Sequence, residues 1–137
     1  MNINIIFWSG TGNTEAMANY IKEGAESAGA SVNVKTVSKA TIEDVNCDVL
    51  CLGCPSMGDE VLEEYDFEPY ITSIEGSVSG KKVALFGSYG WGDGAWMRDF
   101  DARMIKAGAT LVTESLIVNE TPSGDECRIF GETIAKV

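Results

Sequence analysis

Hydrophobic and polar positions divide the chain into alternating segments of two different periods. Ile3-Asn4-Ile5-Ile6-Phe7-Trp8 is a short apolar run of the kind a buried strand needs, whereas from Glu15 to Ala28 the residues Met17, Ala18, Ile21, Ala25 and Ala28 recur at helical spacing. Gly29 closes that helix, and Val32 and Val34 then alternate with Asn33 and Lys35 in a second strand running to about Val37, polar enough to be an edge. Thr41-Ile42-Glu43-Asp44 has the form of a capping box opening one or two helical turns, and Val49 to Gly53 is a wholly apolar central strand. A helix is predicted within Glu60 to Ile74, interrupted near Pro69 because proline restricts the residue before it. Val83-Ala84-Leu85-Phe86-Gly87 is a fourth strand. Trp96, Phe100 and Met104 mark a helix over Ala95 to Ala107, and Thr110 to Val118 forms a fifth strand. Phe130, Ile134 and Val137 give the inward face of a last helix over Cys127 to Val137.

Strands alternating with helices predict an α/β fold, a doubly wound five-stranded parallel sheet with helices on both faces, since crossovers between parallel strands are nearly always right-handed. The polar second strand suits the order 2-1-3-4-5, which leaves it at an edge. A chain of 137 residues is expected to form one domain, 1–137, with a core of its own. In this order a ligand sits beyond the carboxyl ends of strands one and three, with strand four beside them. The three loops that leave those strand ends therefore carry the functional reading.

The first loop is the turn Ser9-Gly10-Thr11-Gly12-Asn13-Thr14 between strand and helix. Its two glycines allow the backbone to curl successive N–H groups into one concavity, and the positive end of the following helix points at the same spot. Ser9, Thr11 and Thr14 add hydroxyls and Asn13 an amide, while the first basic residue is Lys22, so the expected guest is a phosphate held by neutral donors. A P-loop would need Lys after Gly12, a dinucleotide fingerprint a glycine where Glu15 stands, and a phosphatase loop a cysteine in the turn. Taken alone, the same pattern also describes a plain tight connection. The second loop is Pro55-Ser56-Met57-Gly58-Asp59-Glu60, and the third is Ser88-Tyr89-Gly90-Trp91-Gly92-Asp93-Gly94. Two large aromatics in a glycine frame suit a planar heteroaromatic ring better than they suit core packing. A phosphate on one side and a flat ring on the other describe a mononucleotide.

Composition narrows the chemistry. There is no histidine, which removes His-based triads, general bases and metal ligands. The formal charge is −11, and between Ala40 and Gly80 stand ten acidic residues with no Lys or Arg, so nearly all the excess lies in one segment. Such a field disfavours nucleic acid and anionic membranes and attracts partners with basic docking surfaces. No apolar run approaches the roughly 20 residues that cross a bilayer, and no basic stretch precedes the first apolar segment, so a soluble, cytoplasmic protein is expected; it is further expected to be a monomer. Cys51 and Cys54 have redox-motif spacing, but in a strand residues three apart point to opposite faces about 10 Å apart, so free thiols are expected.

The three loops, in this order, resemble the FMN-binding loops of flavodoxins, specifically the short-chain type of anaerobic bacteria, and the similarity spans the whole chain. The resemblance implies a low-potential one-electron carrier holding FMN non-covalently and shuttling between semiquinone and hydroquinone. It implies that Ser9, Thr11, Asn13 and Thr14, with the N–H groups of the turn that contains Gly10 and Gly12, hold the phosphate, and that Pro55, Ser56 and Ser88 line the ribityl chain. Met57 and Trp91 then cover the two ring faces, Glu60 accepts from the ring N3–H, and Asn119 approaches the ribityl or ring edge. Gly58, Asp59, Tyr89, Gly90 and Gly92, in the two ring-side loops, complete the expected cofactor-binding set. In such proteins the peptide between the residues matching Gly58 and Asp59 reverses on reduction. The bland alternatives are Met57 as a plug, Glu60 as a helix-end carboxylate and Trp91 as core; Trp8 and Trp96 are expected in the core or behind the turn. The alternative functions are an FMN-dependent reductase and a ribonucleotide reductase activator.

Overall fold

The computed structural model describes residues 1–137. Six strands and four helices make the architecture: β1 (Asn2–Phe7), α1 (Asn13–Ser27), β2 (Ser31–Thr36), β3 (Val49–Gly53), α2 (Phe67–Ile74), β4 (Lys82–Tyr89), α3 (Ala95–Lys106), β5 (Thr110–Leu111), β6 (Leu116–Asn119) and α4 (Gly124–Ile134). The sheet is parallel in the order β2-β1-β3-β4-β5, with β6 also paired to β4, as the alternation of strands and helices required. The expected fifth strand is interrupted. Lys82 pairs with Thr110 but Phe86 pairs with Leu116, so four residues, Val112 to Ser115, span a stretch where β4 has only Ala84 and Leu85. Those two extra residues form a bulge at the sheet edge, where a break in pairing costs least.

Alternation along the strands sorts side chains onto the two faces. Ile6, Leu50, Leu52, Val83 and Leu85 pack with Phe67, Ile71, Trp96 and Phe100 under α2 and α3. Ile3, Ile5, Val49, Ala84 and Phe86 pack with Met17, Ile21 and Phe130 under α1 and α4. Cys51 belongs to the second layer and Cys54 to the first, so the two thiols are separated by the sheet and are free. Burial pushes the Cys54 thiol up to about 12 and the Cys51 thiol higher still, which keeps both as unreactive thiols.

Three element boundaries differ from the sequence expectation, each for a local reason. The helix expected from Glu60 begins only at Phe67, and Pro69 lies in its first turn, where a missing N–H is no loss. The last helix starts at Gly124 because Ser123 caps it, its Oγ accepting from the Glu126 N–H at 3.4 Å. Val137, expected on the inward face, lies past the helix end and is exposed. The short helical turn Ile42–Val45 forms as predicted, with the Thr41 N–H donating to Asp44 Oδ2 at 2.8 Å.

Candidate cofactor site

The first turn presents donors with nothing to donate to. Among its residues only the Gly12 N–H finds a protein acceptor, Ser9 Oγ at 3.1 Å, an oxygen that also takes the Glu15 N–H at 3.3 Å. The amides of Ser9, Gly10, Thr11, Asn13 and Thr14 donate to no protein acceptor, either in the backbone or in side chains. Gly12, at φ 99°, sits in the left-handed region that lets the chain turn into α1 with those groups converging. Thr14 is buried, and its hydroxyl lies 3.1 Å from Ser88 Oγ at the end of β4, which joins the first loop to the third.

The second and third loops close against each other. Ser56 N–H donates to the Ser88 carbonyl at 2.9 Å, and the buried Trp96 indole donates to the Cys54 carbonyl at 3.0 Å. Between them lies a cleft of about 300 Å³ bounded by Gly10, Thr11 and Asn13 from the first turn, Pro55, Ser56 and Met57 from the second, and Ser88, Tyr89 and Gly90 from the third. Trp8 and Glu120 complete its wall. Trp8 also lines a second cleft of about 460 Å³ on the other side of the turn, so it backs the turn from β1 as expected. Trp96 is core.

Met57 and Val61 exchange two backbone hydrogen bonds of 2.9 Å each, closing a three-residue hairpin over Gly58, Asp59 and Glu60. The second loop thus extends one residue beyond Glu60, to Val61, before the chain pairs back on itself. Gly58 has φ 50° and Glu60 φ 58°; for Glu60 this left-handed conformation carries a strain of the order of 1 kcal/mol. The strain is held in place by its side chain. Glu60 Oε1 accepts from the Asp93 N–H at 3.2 Å and the Ala95 N–H at 3.1 Å, capping α3 from a distant loop. A Cβ built on Gly92 would stand 2.4 Å from the Glu60 carboxyl carbon, so only glycine admits this contact.

The hairpin is supported from beneath by Glu63, a residue the sequence reading missed as a structural group. Its buried carboxylate accepts from the N–H groups of Tyr65, Asp66 and Phe67 at 2.8, 2.7 and 2.8 Å, which starts α2 at Phe67. Burial pushes this carboxyl up, but the three amides outweigh it and hold it below the ordinary carboxylate value. Its own N–H meets Cys54 Sγ at 3.4 Å, which ties the hairpin to the end of β3.

Ten of the residues predicted for the site border the cleft or fix its donors directly: Ser9, Gly10, Thr11, Asn13, Thr14, Pro55, Ser56, Met57, Ser88 and Gly90. Tyr89 joins them while tilting against Trp96 at 5.5 Å between centroids. Glu60 and Gly92 lie beside the cleft, locked to one another. Trp91 is 64 % exposed and stands on the loop outside the cleft wall. Asn119 is exposed at the end of β6, and the cleft is reached by Glu120, at φ 58°, whose N–H bonds the Tyr89 carbonyl at 2.8 Å. The only sequence signal for Glu120 was its place just past a strand end that neighbours β4.

The flavodoxin family model matches residues 5–130. The chain belongs to the flavodoxin family. It is similar to the flavodoxin of Clostridium beijerinckii, at 53 % identity over 98 % of this chain and all of that one, and to that of Megasphaera elsdenii, at 47 % over 98 % of each. The solution structure of two-electron reduced Megasphaera elsdenii flavodoxin superposes with a TM-score of 0.93 at 46 % identity, covering 98 % of this chain and 99 % of that one. A flavodoxin from the domain Archaea gives 0.89 at 26 % identity, covering 99 % of this chain and 97 % of that chain. Flavodoxins bind FMN and carry electrons, and the donor set fits that cofactor: five unengaged amides with hydroxyls and no cation for a phosphate, and a cleft lined both by the hydroxyls of Thr11, Ser56 and Ser88 and by Met57, Tyr89 and Trp8. No helix is long and apolar enough to cross a membrane.

Proposed function

We propose that the chain is a single domain, 1–137, acting in the cytoplasm as a monomer that ferries electrons between redox proteins and catalyses no reaction of its own. FMN supplies the one-electron chemistry when bound, and the protein binds it, orients it and sets its potentials. Ser9, Thr11, Asn13 and Thr14 with the turn amides hold the phosphate, and Pro55, Ser56 and Ser88 border the ribityl chain. Met57, which lines the cleft, would cover one face of the ring, and Trp91, exposed on the adjoining loop, would cover the other. Glu60 keeps Oε1 on the Asp93 and Ala95 amides and would offer Oε2, which has no partner, to the ring N3–H. The carrier reading rests above all on the first turn, which has five free amides and borders the cleft with three of those residues, Gly10, Thr11 and Asn13. The partners are redox proteins with basic docking surfaces, drawn by ten carboxylates and no base between Ala40 and Gly80.

The test compares FMN with riboflavin on the apoprotein, read by quenching of flavin fluorescence. Thr14→Val removes a hydroxyl between the turn and Ser88 and is expected to weaken FMN by tenfold or more, about 1.4 kcal/mol, with riboflavin little changed. Equal losses for both ligands would take the phosphate out of this turn, and no flavin binding at all would end the reading.

A further inference from the structure

The hairpin that borders the cofactor cleft has a second side. Behind it a groove of about 430 Å³ runs between the Glu60–Glu68 segment and α3. Its floor is apolar: Val61, 41 % exposed, and Leu62, 9 % exposed, offer the accessible surface, and the buried Trp96 and Phe100 back them. Its walls carry Glu64 and Asp99, both exposed and neither in an ion pair or side-chain hydrogen bond. The one cation at the groove, Arg103, is already spent, its guanidinium bound to Glu68 and Glu75 with Thr72 beside them. An apolar floor between unpaired carboxylates fits a side chain with an aliphatic stem and a cationic end, a description only Lys and Arg meet.

The surroundings have the anatomy of an interface, apolar at the centre and charged at the rim. Val61 also forms the lip of the groove, and Tyr65 next along the segment is 86 % exposed. Position adds a functional reason. Val61 is hydrogen-bonded to Met57, which lines the cofactor cleft, so a side chain seated in the groove lies across a single strand pair from the cofactor's wall.

We propose that this groove is a socket for one lysine or arginine side chain of the redox partner, which docks the partner against the back of the cofactor hairpin. The inference rests on the electron-carrier reading above. It differs from a general acidic attraction in requiring a particular pair of carboxylates over a particular floor.

The experiment uses the oxidised FMN-loaded protein and oxidised mitochondrial cytochrome c as a lysine-rich surrogate partner. With both oxidised, no electron moves and the dissociation constant is independent of potential. Titration followed by ¹H–¹⁵N NMR at low salt is expected to shift the signals of Leu62, the Trp96 indole N–H and Phe100. Glu64→Gln with Asp99→Asn should weaken the complex about tenfold, while Glu43→Gln with Asp66→Asn, the same charge change outside the groove, should weaken it by less than about threefold. Glu64→Asp with Asp99→Glu, which keeps both charges, should bind within about threefold of the parent and show that the sites tolerate substitution. Equal weakening by the two neutralising pairs, groove signals that stay fixed at saturation, or a groove covered by self-association in sedimentation would each overturn the socket. The carrier reading is tested separately on the same pair: a reduced holoprotein that passes no electrons to the cytochrome would refute that reading and leave the binding result to be judged alone.

Discussion

Glu63 gives the most exacting test of how the cofactor hairpin is held. Its two carboxylate oxygens accept three backbone N–H groups at 2.7–2.8 Å, Oε1 from Asp66 and Phe67 and Oε2 from Tyr65. In Glu63→Gln one oxygen must serve all three, and the new NH₂ faces an amide it cannot satisfy. Hydrogen bonds to a charged group contribute about 1.5–3 kcal/mol each, so the loss of one or two destabilises by roughly 2–5 kcal/mol. At a urea slope of about 2 kcal/mol/M the midpoint should fall by roughly 1–2.5 M at pH 7. The folded-state pKa lies below the ordinary 4.5, burial raising it and the amides lowering it further. The stabilisation is therefore complete above the unfolded-state value and is lost as pH falls through the folded one, so the gap between parent and variant should narrow progressively as pH falls below the ordinary 4.5. Urea unfolding with equal, saturating FMN at pH 7, 5 and 3 measures both. Coincident midpoints at pH 7, or a gap as wide at pH 3 as at pH 7, would show that the carboxylate is not what starts α2.

Trp91→Ala is expected to loosen FMN by about 1–3 kcal/mol, as loss of an aromatic contact does, and to abolish part of the tryptophan quenching on binding; an unchanged dissociation constant would leave this indole in solvent. Gly58→Thr places a Cβ at φ 50°, where nothing lies within 4 Å to clash, so any cost is conformational. If the hairpin rearranges on reduction, the first-electron potential falls by tens of millivolts, about 59 mV being a tenfold change, while oxidised FMN binds nearly as before. Equal weakening of every redox state would make Gly58 a static turn residue. Neutralising Asp59, Glu64 and Asp66 should raise the second-electron potential in steps of roughly 0.3–1.4 kcal/mol, the interaction of unit charges about 12 Å apart at effective dielectrics from 80 down to 20, and the steps should shrink at high salt. A potential indifferent to all three substitutions would rule out an electrostatic origin.

Much of this molecule is written in short-range patterns. The period-two and period-3.6 runs placed β1 to β4, α1 and α3 to within a residue or two, and the polarity of Ser31 to Thr36 put β2 at the edge. The same alternation placed Cys51 and Cys54 on opposite faces of the sheet. Each of these features depends on residues a few places apart, so the chain carries it locally, and the strand order then delivers the three loops to one end of the sheet. What the tertiary structure alone decided are contacts between loops. Glu60 holds amides 33 and 35 residues away, Thr14 meets Ser88 across 74, and Glu120 reaches a cleft whose other walls come from three earlier loops. Glu63 looked like one more acid in a charged run until burial gave it three amides to satisfy. A sequence pattern states which face a residue prefers. Which distant N–H group a carboxylate will find depends on how two turns pack, and that is settled only when the whole sheet has closed.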